Sequence, residues 1–498
     1  MLRSVTVLFF LSLSWIGALW FALPIELNAL SYPRLILLHA SPPVLLFLMW
    51  LFRRMWHKRR QALAEERQRS EEEAKRLASL AAAQQQREAE LRHLRFACDC
   101  RAAAVTGTNL PTSLLMSALP EDGGDEDDTD DDDFDDEDDD AEPLALTVDL
   151  QEFAQPLRQA LDAIYRATPA ALVLPVFVAP PAHLAAAEVI ALIRRFISDI
   201  GERLSSELDF THDQEAQVRF APGGNGVADR AIALFEQTPD LPGALIVSFD
   251  APIQRDRMDY AKAFSSGQRA KVATTLDERA QWCGKPGTAV VAMLLTHPDL
   301  AAMLATIRDC VLEDDAANPA MTPFWQRAAT RTEQLERLVR LPLDKREALS
   351  ERPVLARVHR SAFSPHQTQD DAKNLGPTVQ SLLEQALIAS DLTEPDNRIA
   401  DKPPVLGWLV QNAGTVGRYA ARMGALAASI RQLGHDLHPL DDATNFANTI
   451  GDFGAATAWV MLAEAITRSS ESGKAVLTVD FQQESGLAVS ATVPIPSA

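Results

Sequence analysis

Ile450–Ile466 reads IGDFGAATAWVMLAEAI, a Gly-x-x-Gly turn running into a helix of small residues. Glycines in such a turn let two backbones approach closely, and the alanines after it let a helix pack deep inside a fold. The stretch is followed by two short apolar runs, KAVLTVDF (474–481) and GLAVSATV (486–493). Further runs of this kind occur upstream: ALVLPVFVA (171–179), GALIVSFD (243–250), TAVVAMLL (288–295), PVLARVHR (353–360) and VLGWLVQN (405–412). Each is short, apolar and rich in β-branched residues, which predicts strands. Between them Leu150–Thr168, Leu184–Ile200, Ala228–Gln237, Pro377–Ser390 and Ala455–Arg468 carry helical patterns. Near-continuously apolar strands alternating with helices predict an α/β sheet buried on both faces, over residues 144–498.

The N-terminal end is built differently. Val5–Leu23 contains no charged residue, and Leu35–Phe52 is apolar apart from His39, with Pro42 and Pro43 inside it. Each is roughly long enough to span a ~30 Å hydrocarbon core. With the short connection between them they predict a transmembrane hairpin over 1–56; the competing reading, a cleaved signal peptide, has too long an apolar core and no clear cleavage site. RRMWHKRR (53–60) follows at once, and the positive-inside rule puts it, and everything after it, in the cytoplasm of a bacterium, with both termini on that face of the inner membrane. Residues 57–97 predict a helical stalk, since His57–Phe96 has neither Pro nor Gly. Leu63, Leu77, Leu80, Leu91 and Leu94 trace a partial heptad seam, interrupted at Ser70, Gln84, Glu66, Glu73 and Arg87. A solvated single helix and a paired coiled coil are both open.

The net charge of −22 is concentrated in one place. Seventeen of the twenty-two residues from Glu121 to Glu142 are acidic, so the rest of the 498-residue chain carries only about −5. Such a run repels itself and cannot bury apolar surface, so 98–143 is expected to be a disordered acidic linker, acting as a spacer or as bait for a basic partner. No portion of the soluble region is basic enough to suggest nucleic-acid binding. Cys98, Cys100, Cys283 and Cys310 are too few for a disulfide framework. No His or Cys cluster completes a metal site around the Cys98-x-Cys100 pair.

The order of segments from 145 to 497 resembles the ketosynthase branch of the thiolase-like superfamily. The matching segments are APGGNGVADRAIALFEQTPDLPGALIVSFDAP, KPGTAVVAMLLTHP, WLVQNAGTVGRYAARMGAL, NTIGDFGAATAWVMLAEAI and KAVLTVDFQQESGLAVSATV. The resemblance implies a duplicated layered fold (αβαβα) and homodimers. It also implies condensation chemistry from a cysteine at a helix N-terminus assisted by two histidines. Carried onto this chain, the nucleophile turn falls at Gly223–Ala228, with Gly226 and no cysteine; the first histidine falls on Asn412 and the second on Asp452. Asparagine has no proton to exchange near neutral pH, and an aspartate would repel an oxyanion. The expectation is therefore a catalytically inactive scaffold or interaction protein on a membrane anchor, with neither cofactor nor metal, accessory to a secretion machine. A rival reading is an acyl-condensing or acyl-transfer enzyme that uses Cys283. Another is a regulator that binds acyl carrier protein, and an acyl ligand in the old groove stays open.

Other groups have less to offer. His435, Asp436 and His438 in GHDLHP suit either a metal or a surface loop, with the loop preferred. His359 and His366 read as structural or exposed, Ser248 lacks a nucleophile elbow, and PGGNG (222–226) is not a phosphate loop.

Overall fold

The computed structural model describes residues 2–22, 31–108, 110, 148–208, 216–253, 256, 283–307, 333–339, 341–365, 372–393, 405–414, 420–483 and 486–495. The acidic run, His366 and Cys310 lie outside them. The chain divides into two units, Met1–Glu90 and Leu91–Ala498.

The first unit contains α1 (Leu2–Ala22) and most of α2 (Tyr32–Leu94), a 63-residue helix that carries Pro42 and Pro43 inside it. Among the described residues, one helix, Tyr32–Leu94, is long and apolar enough to cross a membrane, and Phe9–Ala22 is a shorter apolar helix. Proline has no N–H, so Pro42 leaves the carbonyl four residues earlier without its helical donor. That carbonyl belongs to Leu38, and the Trp15 indole of α1 donates to it at 3.1 Å. Trp20 donates to His39 Nε2 at 3.0 Å, while His39 Nδ1 lies 2.7 Å from Leu35 O. With a donor facing Nε2 and a carbonyl facing Nδ1, the neutral ring carries its proton on Nδ1.

The second unit is a mixed α/β domain built, among the described residues, on one eleven-stranded sheet. Its first half contains β1 (Ala97–Thr108), α3 (Val148–Ala167), β2 (Val176–Ala179), α4 (Ala186–Leu208), β3 (Val218–Phe220), α5 (Val227–Gln237), β4 (Gly243–Asp250) and β5 (Thr288–Thr296). Helices α6 (Leu300–Ile307), α7 (Glu333–Val339) and α8 (Leu343–Glu351) follow. The second half contains β6 (Ala356–His359), β7 (Ala362–Pro365), α9 (Ala372–Ala389), β8 (Leu406–Gln411), α10 (Ala420–Gln432), β9 (Ala443–Asn445), α11 (Thr457–Ser472), β10 (Ala475–Gln483) and β11 (Gly486–Val493).

The strand order β3-β2-β4-β5-β1-β6-β11-β10-β8-β9, with β7 also on β11, repeats itself about the β1–β6 pair. Outward from that seam, with β7 set aside, both halves run first, fifth, fourth, second, third. In each the fifth strand is antiparallel to both neighbours and the remaining pairs are parallel. The seam itself is antiparallel and places Asp99 opposite Arg357.

Alternation along the strands divides the interior into three cores. Val290, Ala292 and Leu294 of β5 face one core with α3 and α4, whereas Val291, Met293 and Leu295 face another with α5 and α11. Leu477 and Val479 of β10 face a third with α9 and α10. Helices α5 and α11 therefore occupy the middle and pack against strands of both halves. Trp459 of α11 is fully buried there.

One boundary needs correction. Residues 98–108 belong to β1, the strand that joins the two halves, and not to the linker expected over 98–143; the α/β fold begins at Ala97 rather than at 144, and the long helix ends at Leu94 rather than at 97. ACDCRAAAVTGT has weak intrinsic strand preference, but pairing on both edges and burial on both faces outweigh local propensity. The strand expected over 171–179 is shorter, since 169–173 form a 3-10 turn ahead of β2, and β3, β7 and β9, of three or four residues each, join the sheet without having been expected.

Candidate functional site

The Gly-x-x-Gly turn meets a second glycine loop, 283–287, that enters β5. Asp452 N–H donates to Lys285 O and Gly287 N–H donates to Asp452 O, both at 2.9 Å, so Pro286 and Asp452 form an isolated parallel bridge. This approach depends on glycine. Gly451 has φ +134, and a Cβ there would lie 2.5 Å from Lys285 O; Gly284 has φ +93, and a Cβ there would lie 3.0 Å from Gly451 Cα. Gly451→Ala is expected to lower stability by about 2 kcal/mol, the cost of forcing a side chain into a conformation it disfavours. Equilibrium urea unfolding measures it, and an unchanged midpoint would refute the interlock.

Beyond the turn, residues 454–456 form a 3-10 turn that continues into α11. The first N–H groups of such a helix have no intrahelical acceptor and attract negative charge. Two buried carboxylates meet them. Asp452 Oδ1 accepts from Gly454 N at 2.8 Å, with Thr457 Oγ1 at 3.4 Å. Asp250, at the end of β4, accepts from Ala455 N through Oδ2 at 2.8 Å and from Ala251 N through Oδ1 at 2.7 Å. Asp250 and Asp452 are 1% and 5% exposed. The first N–H groups of this turn are thus taken up by the chain's own side chains. Asp250 was visible in sequence only as the polar end of a strand.

The other two positions singled out by the resemblance are engaged elsewhere. Gly226 is the N-cap of α5, and a Cβ added there would lie 2.7 Å from Ser361 Oγ and 3.0 Å from Ser361 Cβ. Ser361 is held in that place, because its N–H donates to Asp229 Oδ1 of α5 at 3.0 Å. Asn412 is buried at the end of β8, where Nδ2 donates to Asp480 Oδ1 and Oδ1 accepts from Phe481 N, each at 2.6 Å. Each of Gly226, Asn412 and Asp452 is thus committed to its own set of neighbours. Helices α5 and α11 are linked by Arg230, whose guanidinium lies 5.5 Å from the Trp459 ring centroid.

The remaining candidates sort clearly. Ser248 is fully buried and donates to Ala179 O at 2.9 Å. His359 is buried against Ala389 O at 3.1 Å. His438 pairs with Asp441 at 3.1 Å, and among the described residues no three His, Cys, Asp or Glu converge as metal ligands. PGGNG is the connection from β3 to α5, with Pro222 O accepting from Arg230 Nε at 2.9 Å. Cys98 and Cys100 are fully buried in β1. Burial pushes both thiols up, Cys100 to about 12, and so holds both as the unreactive thiol. Cys283 is half-buried at the head of the 283–287 loop. Iodoacetamide at pH 8 is expected to label Cys283 in the native protein and to label Cys98 and Cys100 only after unfolding. Peptide mapping reads the result, and native labelling of Cys100 would contradict the burial of β1.

With this geometry in view, comparison with solved structures finds ketosynthases and related proteins. A Streptomyces albus JA3453 oxazolomycin ketosynthase domain is 11% identical, over 70% of this chain and 81% of that one, with a TM-score of 0.35. CsyB complexed with CoA-SH is 15% identical over 70% and 80%, with a TM-score of 0.37. OleA from Xanthomonas campestris, bound to acetamide, is 10% identical over 68% and 81%, with a TM-score of 0.35. No family model and no curated protein matches the chain. The likeness to these structures is one of fold, and the chemistry of this chain is read from its own side chains.

Proposed function

We propose that this protein is a membrane-anchored, non-catalytic thiolase-like scaffold, held at the cytoplasmic face of a bacterial inner membrane by the α1–α2 hairpin. One observation carries the reading: the Asp250 and Asp452 carboxylates occupy the Gly454 and Ala455 N–H groups at the entry to α11. A thioester oxygen seeking those donors would have to displace a buried anion already bound to them, and it would meet like charge. The fold-related chemistry also needs a nucleophile at the start of α5, where Gly226 abuts Ser361. What remains suited to use is surface, brought near the bilayer at raised effective concentration. Its partner is a protein, in a secretion machine or another envelope assembly, and pairing of two copies belongs to the same reading. Crosslinking of the full chain in native membranes identifies that partner.

A second reading has one observation in its favour. Cys283 is half-buried and adjoins Gly284, which packs against Gly451 of the Asp452 loop. The full chain, incubated with radiolabelled acyl thioesters, is expected to remain unlabelled. Covalent acylation abolished by Cys283→Ala would replace the scaffold with an acyl-transfer enzyme.

A further inference from the structure

Helix α2 leaves its apolar run through Arg53, Arg54, His57, Lys58, Arg59 and Arg60. No Asp or Glu occurs from Leu27 to Ala64, so none stands within four positions of any of them, the reach of a side-chain pair along a helix. At 3.6 residues per turn, Arg53, Arg54, Lys58, Arg59 and Arg60 point around the whole circumference, with no gap wider than about 100°. Residues 52–60 are all exposed. A partner helix or a protein groove would be met by one charged face, as amphipathic helices present. A complete ring instead fits a layer through which the helix passes.

Height and aromatic content point the same way. From Arg53 to Arg60 the helix climbs about 10 Å, close to the roughly 5–8 Å of headgroup region on one side of a bilayer. Two guanidiniums are set over indoles one turn earlier: Arg54 lies 5.3 Å from the Trp50 ring centroid and Arg60 lies 5.4 Å from that of Trp56. Phe52 stands 5.9 Å from Trp56, and Phe52 and Trp56 are 65% and 50% exposed. Indoles favour the boundary between hydrocarbon and water, and stacking holds each guanidinium at that depth.

We propose that residues 50–60 form a collar that selects anionic phospholipid headgroups around α2. The proposal rests on the membrane-anchor reading. Arginine forks suit phosphate oxygens, and each basic residue near an anionic surface adds to the attraction.

The full chain, reconstituted in bilayers of equal phosphatidylglycerol and phosphatidylcholine, provides the test. Lipid retained by the protein after mild extraction is counted by mass spectrometry, and resistance to alkaline carbonate is scored separately. Phosphatidylglycerol is expected to be enriched about threefold or more at low salt, with the preference fading towards ~0.5 M salt as charges are screened. Arg53→Gln, Arg54→Gln, Lys58→Gln, Arg59→Gln and Arg60→Gln combined should abolish the enrichment and leave carbonate resistance intact. Trp50→Leu with Trp56→Leu keeps apolar length but should weaken the preference. Equal retention of both lipids by the native chain, or unchanged enrichment in the five-fold variant, would overturn the collar. Loss of the native chain to carbonate would instead overturn the anchor.

Discussion

Arg357→Met is expected to destabilise the α/β unit by about 3–5 kcal/mol, the usual cost of leaving a buried charge without its partner. Arg357 and Asp99 face each other across the β1–β6 seam, with Nε to Oδ1 at 2.7 Å and Nη2 to Oδ2 at 3.2 Å. The fork is bidentate but unequal in exposure: the Asp99 side chain is 4% exposed and that of Arg357 38%. Removing the arginine strands a carboxylate that water does not reach. Asp99→Asn removes the buried charge and leaves a guanidinium that can be solvated, so its cost should be nearer 1–2 kcal/mol. Urea unfolding of both variants measures the difference. Equal costs would mean that the pair lies in water and contributes little to the seam.

Two residues further along the same strand, His359 should make the protein sensitive to mild acid. Burial is the main cause that lowers its pKa from 6.5 to about 4; the hydrogen bond to Ala389 O opposes the shift, and nearby Arg357 adds to it. The folded state thus holds the ring neutral where the unfolded chain would protonate it. Stability is fully present above the unfolded value near 6.5. It falls as pH drops towards about 4, and then levels off for this group. The whole window amounts to about 3 kcal/mol. His359→Asn can still donate to Ala389 O but takes up no proton. Its unfolding free energy should therefore fall less steeply between pH 6.5 and 4, by up to one proton's worth of slope. Parallel profiles for the two proteins would show that His359 is accessible to water. Because Arg357 depresses the histidine, Arg357→Met should also move the acid window upward.

The parts legible in sequence were those with strong local signals. GALIVSFD and GLAVSATV coincide with β4 and β11 residue for residue, since both are β-branched and bounded by turn residues. ACDCRAAAVTGT gave no such signal, because its strand character comes from β5 and β6 on either edge. The internal duplication was expected only from the resemblance and not from any repeat in the residues, being a matter of pairing order rather than of residue pattern. At the site, glycine spacing drew attention to Asp452, and its buried bridge to Pro286 gives that spacing a cause. The role of Asp250 was not legible, since its partner Ala455 lies 205 residues away. Asn412 was singled out for a lost histidine; its amide is held by Asp480 and Phe481, 68 and 69 residues downstream.

The position of β1 in the chain also has a consequence for biosynthesis. It is the first strand of the sheet to leave the ribosome, yet Asp99 must wait for Thr296, 197 residues later, before that edge can close. At ~5–20 residues per second the delay is on the order of 10–40 s. During that interval an apolar strand destined for the centre of the sheet has no partner on either side. Nascent chains of this protein should therefore depend on holding factors until β5 and then β6 emerge, and the last event in folding should be the meeting of the two halves at the strand that was made first.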